Sequence, residues 1–235
     1  MNYIGLICAR SGSKGVINKN IKLINNHPLI AWSISLGKKV KKLNQLIVSS
    51  DDEKIQLISK KYGAEVPFTR PKELAMDDTP EWLVWQHTLE FLENECNKQI
   101  DALVVLPTTA PLRNLEDIEK AIYLYENEKC DAVISVKNAS RNPYFNMTKI
   151  NNEGFAEIVN QSNSPIFNRQ GAPKIYDMST VIYVISSSHI KKNNHLFEGL
   201  VRQIIIPDER AIDIDTQLDF DIAEMLLKKN NYQLK

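Results

Sequence analysis

The sequence predicts a single α/β domain in which helices cover both faces of a mainly parallel sheet. Two observations predict it. Short runs rich in Ile and Val alternate with longer stretches of helical pattern, the order that lays strands side by side and folds helices over them. The chain also has 235 residues, 43% of them hydrophobic, which suffices for a sizeable core rather than a disordered polymer.

Tyr3–Cys8, Gln45–Ser49, Ala102–Leu106, Ala132–Val136 and Val181–Ile185 are the apolar runs, each short and branched enough for a buried strand. Asp52–Tyr62 reads as a helix stopped by Gly63, a residue suited to the turn beyond a helix C-terminus. Thr79, Pro80 and Glu81 read as N-cap, first-position proline and early acid of a helix running to about Glu95. Asn114–Glu128 is a further helix, with acids in its first turn. Thr216 and Asp219 have the spacing of a capping box, with Asp in the usual Glu or Gln place, and open a last helix. Residues 137–180 break this rhythm. They are rich in Asn, Ser and Pro ("RNPYFNM", "QSNSPIFNRQGAPK") but keep Phe145, Phe155, Ile158, Phe167 and Tyr176. That is an insertion projecting from the sheet rather than a linker.

Lys plus Arg and Asp plus Glu balance at 29 each. The balance argues against nucleic-acid or anionic-membrane binding, which usually needs a basic excess. Cys8, Cys96 and Cys130 are odd in number and far apart, with neither zinc spacing nor a disulfide framework, as suits a reducing cytoplasm. "MNYIGLICAR" lacks the basic start of a signal peptide, and no apolar run approaches the ~20 residues of a membrane span. The expectation is a cytoplasmic protein with only local patches of charge.

One such patch follows the first strand. "ICARSGSKGVINKN" places Arg10, Lys14 and Lys19 around Gly12 and Gly15. In an open α/β sheet ligands bind at the carboxyl ends of strands. The stretch matches neither G-x-x-x-x-G-K-[ST] nor G-x-G-x-x-G. Its glycines would still let backbone amides approach an anion, and one polyphosphate could neutralise its cations together. On its own the stretch is equally a solvated surface loop.

The order of motifs adds to this. "ARSGSKGVINKNIKLINNHPLI", "LIVSSDDEKIQLISKKYGAEV", "TRPKELAMDDTP", "LPTTAPLR", "NRQGAPKIYDMSTVIYV" and "IDIDTQLDFDIAE" run in register along nearly the whole chain. Together they resemble the acylneuraminate cytidylyltransferases, the CMP-sialic acid synthetase family. The resemblance implies a single Rossmann-like nucleotidyltransferase domain over 1–235, with the insertion serving as a dimerisation arm near the sugar site. It implies an enzyme that transfers CMP from CTP to the C2 hydroxyl of a nine-carbon, sialic-acid-like (nonulosonic) sugar acid, releasing pyrophosphate, for cell-surface glycan synthesis. Arg10, Ser13, Lys14, Asn20 and Arg70 match nucleotide-binding positions, and Lys19, Asp213 and Asp215 the catalytic ones. Asp213 and Asp215 match the pair that holds Mg²⁺; in a strand, residues two apart would converge on one ion. Arg169 matches the position serving the sugar carboxylate, with Gln170, Phe145 and Tyr176 on the same side, and the partners implied are CTP, the sugar acid and a second subunit of a homodimer. Arg169 in an ion pair at the dimer contact is the other reading of that residue.

The sequence departs from the family pattern on the sugar side. "LPTTAPLR" has Pro107 and Thr108 where "LQPTSPLR" has Gln and Pro; Phe145 replaces a lysine common in sialate-activating relatives; and "NGAIY" becomes "STVIY" at 179–183. Phe145 and Pro107 in place of a cation and a glutamine make the pocket more apolar, and "NPYFNM" and "YDMS" are more similar to the branch that activates legionaminic acid, whose acetamido group replaces a hydroxyl; N-acetylneuraminate is the next expectation. A cytidylyltransferase for the eight-carbon acid Kdo, or a non-catalytic nucleotide- or sugar-binding relative, are the alternatives. None of the four histidines falls in a shared motif, and no general base is identifiable.

Overall fold

The computed structural model describes residues 1–97, 99–162 and 164–234. The chain begins with β1 (Tyr3–Cys8), a small hairpin of β2 (Leu23–Ile24) and β3 (His27–Pro28), then α1 (Leu29–Gly37). β4 (Leu43–Ser49), α2 (Glu53–Lys61), α3 (Glu81–Glu90), β5 (Ala102–Val105) and α4 (Leu115–Asn127) follow. The second half holds β6 (Ala132–Asn138), β7 (Thr148–Ile150), β8 (Ala156–Ile158), β9 (Tyr176–Ser186), α5 (Ser187–Lys192), β10 (Val201–Ile205) and α6 (Gln217–Lys229).

Six strands form one sheet in the order β10-β6-β9-β5-β1-β4. All adjacent pairs are parallel except those made by β9, which runs antiparallel between β5 and β6. Alternation along β1 shows why the sheet is buried on both sides. Tyr3 and Ile7 join a core with Ile30 and Ile34 of α1 and Ile118 and Ile122 of α4. Ile4 and Leu6 join a second core with Trp82, Trp85 and Leu89 of α3. A third cluster packs α6, through Phe220, Ala223 and Leu227, against Trp32 and Ile214.

Local signals act as expected at several ends. The Asp52 side chain accepts from the Ile55 amide at the start of α2, and Gly63 takes φ +92° just beyond its end. Asn114–Asp117 and Thr216–Asp219 both close reciprocal capping boxes, which satisfy backbone donors that would otherwise face empty space. The start of α3 is a correction. Pro80 is the N-cap, Glu81 the first helical residue, and the Thr79 hydroxyl donates instead to the Glu73 carbonyl at 3.0 Å. Thr79 is thus spent on the preceding loop, and the helix gives way at Phe91–Glu95 to a wider π turn.

The sheet claims both flanks of the insertion, because β6 continues to Asn138 and β9 already begins at Tyr176. The excursion between them carries the β7–β8 hairpin and exposes Ile150, Phe155 and Phe167. Cys8, Cys96 and Cys130 are free. Among the described residues no helix is long and apolar enough to cross a membrane.

A cleft at the carboxyl ends of β1 and β5

The loops that leave β1 and β5 meet residues 206–216, the segment before α6, and enclose two adjoining pockets of about 280 and 420 Å³. The larger is lined by Arg10, Ser13, Lys14, Lys19, Asn20 and Asp215. The smaller is lined by Arg70, Glu81, Thr180 and Asp213 among others, and shares Cys8, Arg10, Asp77, Thr108, Thr109 and Asp215 with its neighbour. All the residues expected to bind nucleotide or metal, or to act in catalysis, therefore come together in one cleft.

The β1 loop is built to hold its shape. Ser11 donates from its amide at 3.0 Å and its hydroxyl at 2.6 Å to Asp51. Burial works to raise the Asp51 pKa, but these bonds hold the carboxyl below its ordinary value. Asn20 is buried and spans two loops: its amide donates to the Arg10 carbonyl at 2.9 Å, and its oxygen accepts from the Thr108 hydroxyl at 2.6 Å. Thr108, read from sequence only as a departure from pattern, is thus the clasp between the β1 and β5 loops. Arg113 clasps the β5 loop from beneath, donating to the Pro107 carbonyl, and its burial pushes the guanidinium pKa down to about 9.

At Gly15 the loop meets the acidic segment. A Cβ there would fall 1.9 Å from the Asp215 carbonyl oxygen, so only glycine allows this approach. Lys19 ties the same two segments, donating to the Ile214 carbonyl at 2.6 Å and lying 3.4 Å from Asp215 Oδ1. Residues 211–215 are not in a strand, which corrects the basis on which the two aspartates were expected to converge. Both instead line the smaller pocket, with Ile214 buried between them in the α6 core and its amide donating to the Thr109 carbonyl at 2.9 Å.

Charge in the cleft is uneven. Arg10 and Lys14 stand together on one side and both pair with Asp77, Arg10 at 2.6 Å. Asp213 lies deeper. Burial raises its pKa, Asp215 adds to the rise, and its Oδ1 is buried with no hydrogen-bond partner. Such an orphaned carboxylate oxygen costs free energy unless a cation or proton satisfies it. Among the described residues no three His, Cys, Asp or Glu side chains gather as a metal site. The donor set is therefore two carboxylates, which fits a hard divalent ion completed by water and substrate phosphates.

Arg70, which without the resemblance reads first as a surface arginine before a proline, is 4% exposed. Its Nε and Nη2 donate to the hydroxyl and carbonyl of Ser49 at the end of β4. Glu81, read as a helix-opening acid, opens α3 and also lines the cleft. It is reachable from the cavity yet ringed by protein, and that crowding raises its pKa, with Asp213 adding to the rise. Helix position explains an acid at Glu81 without any site, so no local signal marked it. Asp77, Thr109 and Thr180 were missed for the same reason.

The sugar-side set behaves differently. Arg169 and Gln170 are exposed on the arm, with Arg169 donating to the Ser140 carbonyl at 2.6 Å. Phe145 is half-buried in the arm, and Tyr176 packs at the edge of the α3 core. None of the four lines either pocket. Pro107, the other residue of the apolar-pocket argument, does.

Residues 4–234 match the cytidylyltransferase family. The chain is 38% identical over 229 residues to the post-translational flagellin modification protein B of Campylobacter coli, covering 97% of this chain and 96% of that one. It is 37% identical, with the same coverage, to the CMP-N,N'-diacetyllegionaminic acid synthase of Campylobacter jejuni. Its fold superposes with a TM-score of 0.70 on CMP:2-keto-3-deoxy-manno-octonic acid synthetase complexed with CTP, at 14% identity and covering 98% and 100% of the two chains.

Proposed function

The chain belongs to the cytidylyltransferase family, and from that premise we propose that it transfers CMP from CTP to the C2 hydroxyl of a nine-carbon nonulosonic acid. The favoured acceptor is a diacetylated legionaminic acid, on the strength of the 37% identical synthase that spans nearly the whole chain. Pro107 in the cleft wall supports an apolar acceptor pocket; Phe145, outside the cleft, does not. The observation that carries the reading is the contact of the cationic β1 loop with the acidic segment at Gly15 and Asp215, which sets cations and carboxylates across one cleft.

In this reading Arg10, Ser13, Lys14 and Lys19 bind the triphosphate, with Arg10 and Lys14 exchanging Asp77 for phosphate oxygens. The acceptor hydroxyl gives up its proton, which ends on solvent, its oxygen forms a bond to the α-phosphorus as the bond from that phosphorus to the α,β-bridging oxygen breaks, and pyrophosphate departs with the electron pair. The cations then neutralise the leaving group, so the rate comes from positioning and charge rather than covalent catalysis. Asp213 and Asp215 would hold Mg²⁺, which supplies charge neutralisation at the phosphates and lowers the pKa of a hydroxyl brought to it. The orphaned Asp213 Oδ1 supports that assignment. We further propose a homodimer formed through the arm. Its exposed Ile150, Phe155 and Phe167 support this, and the sugar-side Arg169 and Gln170 then serve a site completed by the assembly.

The test is pyrophosphate release from CTP and Mg²⁺ with legionaminic, N-acetylneuraminic, pseudaminic and Kdo acids in parallel. Highest kcat/KM with legionaminic acid is expected. Turnover with Kdo alone would overturn the acceptor, and no turnover in folded protein would overturn the reaction. Sedimentation at micromolar concentration tests the dimer.

A further inference from the structure

β9 does not pair evenly with β6. Tyr183 stands opposite Ile134, but the next residue of β6, Ser135, stands opposite Ser179. Thr180, Val181 and Ile182 are therefore surplus to the ladder, a bulge in the strand that crosses the centre of the sheet. Bulges re-aim side chains and concentrate beside functional sites. Here the backbone break is repaired by one side chain. The Ser135 hydroxyl, fully buried, donates to the Ser179 carbonyl at 2.8 Å and accepts from the Ile182 amide at 3.0 Å.

Val181 and Ile182 enter the core, and Thr180 is left lining the cleft beside Asp213. Its hydroxyl lies 3.1 Å from that of Thr109, whose own carbonyl holds the Ile214 amide. Both threonines line the same pocket as the Asp213 carboxylate.

We propose that Thr180, aimed by the Ser135-repaired bulge and paired with Thr109, is a positioning residue that orients the Asp213 carboxylate for its cation. The proposal rests on the assignment of a divalent ion to Asp213 and Asp215. A partner that orients a metal ligand is commonly worth about 10–100-fold in metal affinity, and the effect falls on the ion rather than on the nucleotide cations across the cleft.

The test is Mn²⁺ binding to the protein with CTP, read from the EPR signal of free Mn²⁺, together with the Mg²⁺ dependence of turnover. Thr180→Val keeps the shape and removes the hydroxyl. It is expected to weaken Mn²⁺ binding by about tenfold or more and to raise half-saturating Mg²⁺ alike, with Thr180→Ser restoring most of both. Ser135→Ala, verified as folded by circular dichroism, is expected to shift Mn²⁺ affinity in the same direction. Wild-type affinity in Thr180→Val, with Asp213→Asn losing the ion, would overturn the proposal and leave the metal assignment standing. Wild-type protein that binds no Mn²⁺ with CTP, and turns over in EDTA, would overturn the assignment itself. Undiminished Mn²⁺ binding in Ser135→Ala would overturn the role of the bulge.

Discussion

Replacing Gly15 by alanine puts the central contact of the cleft to the test. The new Cβ would stand 1.9 Å from the Asp215 carbonyl oxygen and 3.1 Å from its carbon, both backbone atoms. Carbon and carbonyl oxygen approach to about 3.3 Å, so the loop and the acidic segment must part by roughly 1.4 Å. No side chain can swing aside to absorb that. Moving Asp215 pulls on the Lys19–Ile214 bond at 2.6 Å and the Ile214–Thr109 bond at 2.9 Å. Working sites hold their groups within about 0.5 Å, and a misplacement of about 1 Å can cost about 100-fold. Gly15→Ala should therefore lower kcat/KM at least ~100-fold, or about 2.7 kcal/mol of transition-state stabilisation. Overpacking costs about 1–3 kcal/mol, and at ~2–4 °C per kcal/mol for a chain of this length the protein stays folded at 25 °C. The assay is pyrophosphate release, with circular dichroism and a thermal melt on the same samples. Gly12→Ala is the control, because it has φ +70° but nothing within 4 Å of a Cβ; it tests backbone strain without the clash and should lose far less. Wild-type kcat/KM in Gly15→Ala, or equal losses in the two variants, would refute the reasoning.

Asp213 binds its proton more tightly in the folded chain than in the unfolded one, because burial raises its pKa. Its contribution to stability is thus lost as pH rises through the folded pKa. Asp213→Asn, measured without metal or nucleotide, should melt above wild type at neutral pH, with the gap closing as pH falls toward about 4, and should be inactive throughout; a lower melting point at neutral pH counts against the burial argument. Arg210 chelates the buried Asp117 through Nε at 2.9 Å and Nη2 at 2.8 Å, pinning the acidic segment to the start of α4. Arg210→Ala leaves that carboxylate without its cation, holding only the Asn114 amide, and should cost about 3 kcal/mol, seen as a melting point lower by about 6–12 °C. Lys14 and Arg10 hold the exposed Asp77 carboxyl below its ordinary pKa, so it competes with phosphate for both cations. Asp77→Ala should bind CTP more tightly by calorimetry at low salt, and the advantage should shrink as screening grows; weaker binding would mean that Asp77 arranges the cations instead of competing for them.

Much of the scaffold was legible because its signals are local. Ile and Val runs marked five of the six sheet strands, and β10 escaped notice because its pattern is broken by Arg202 and Gln203, both exposed on an edge strand. Capping boxes at Asn114 and Thr216 and the turn glycine Gly63 act over three or four residues, so composition alone reveals them. Thr79 misled because a side chain suited to capping α3 found a partner in the preceding loop. The cationic loop was visible as a cluster but ambiguous until the resemblance ordered it against the last acidic pair. Glu81 and Thr180 could not be found that way, since each has an ordinary local explanation as a helix-opening acid and a strand residue.

By itself the sequence determined where five of the six sheet strands and the capped starts of α2, α4 and α6 form, and which charged groups were on hand. Those outcomes depend on periodicity, capping and residue type over short spans. Only the tertiary structure decided that β9 runs against its neighbours, that Arg70 is buried on Ser49, that Gly15 touches Asp215, and that Arg169 lies outside the cleft. Each of these depends on segments meeting across tens to hundreds of residues, where sheet order and close packing, rather than any local preference, select the partner.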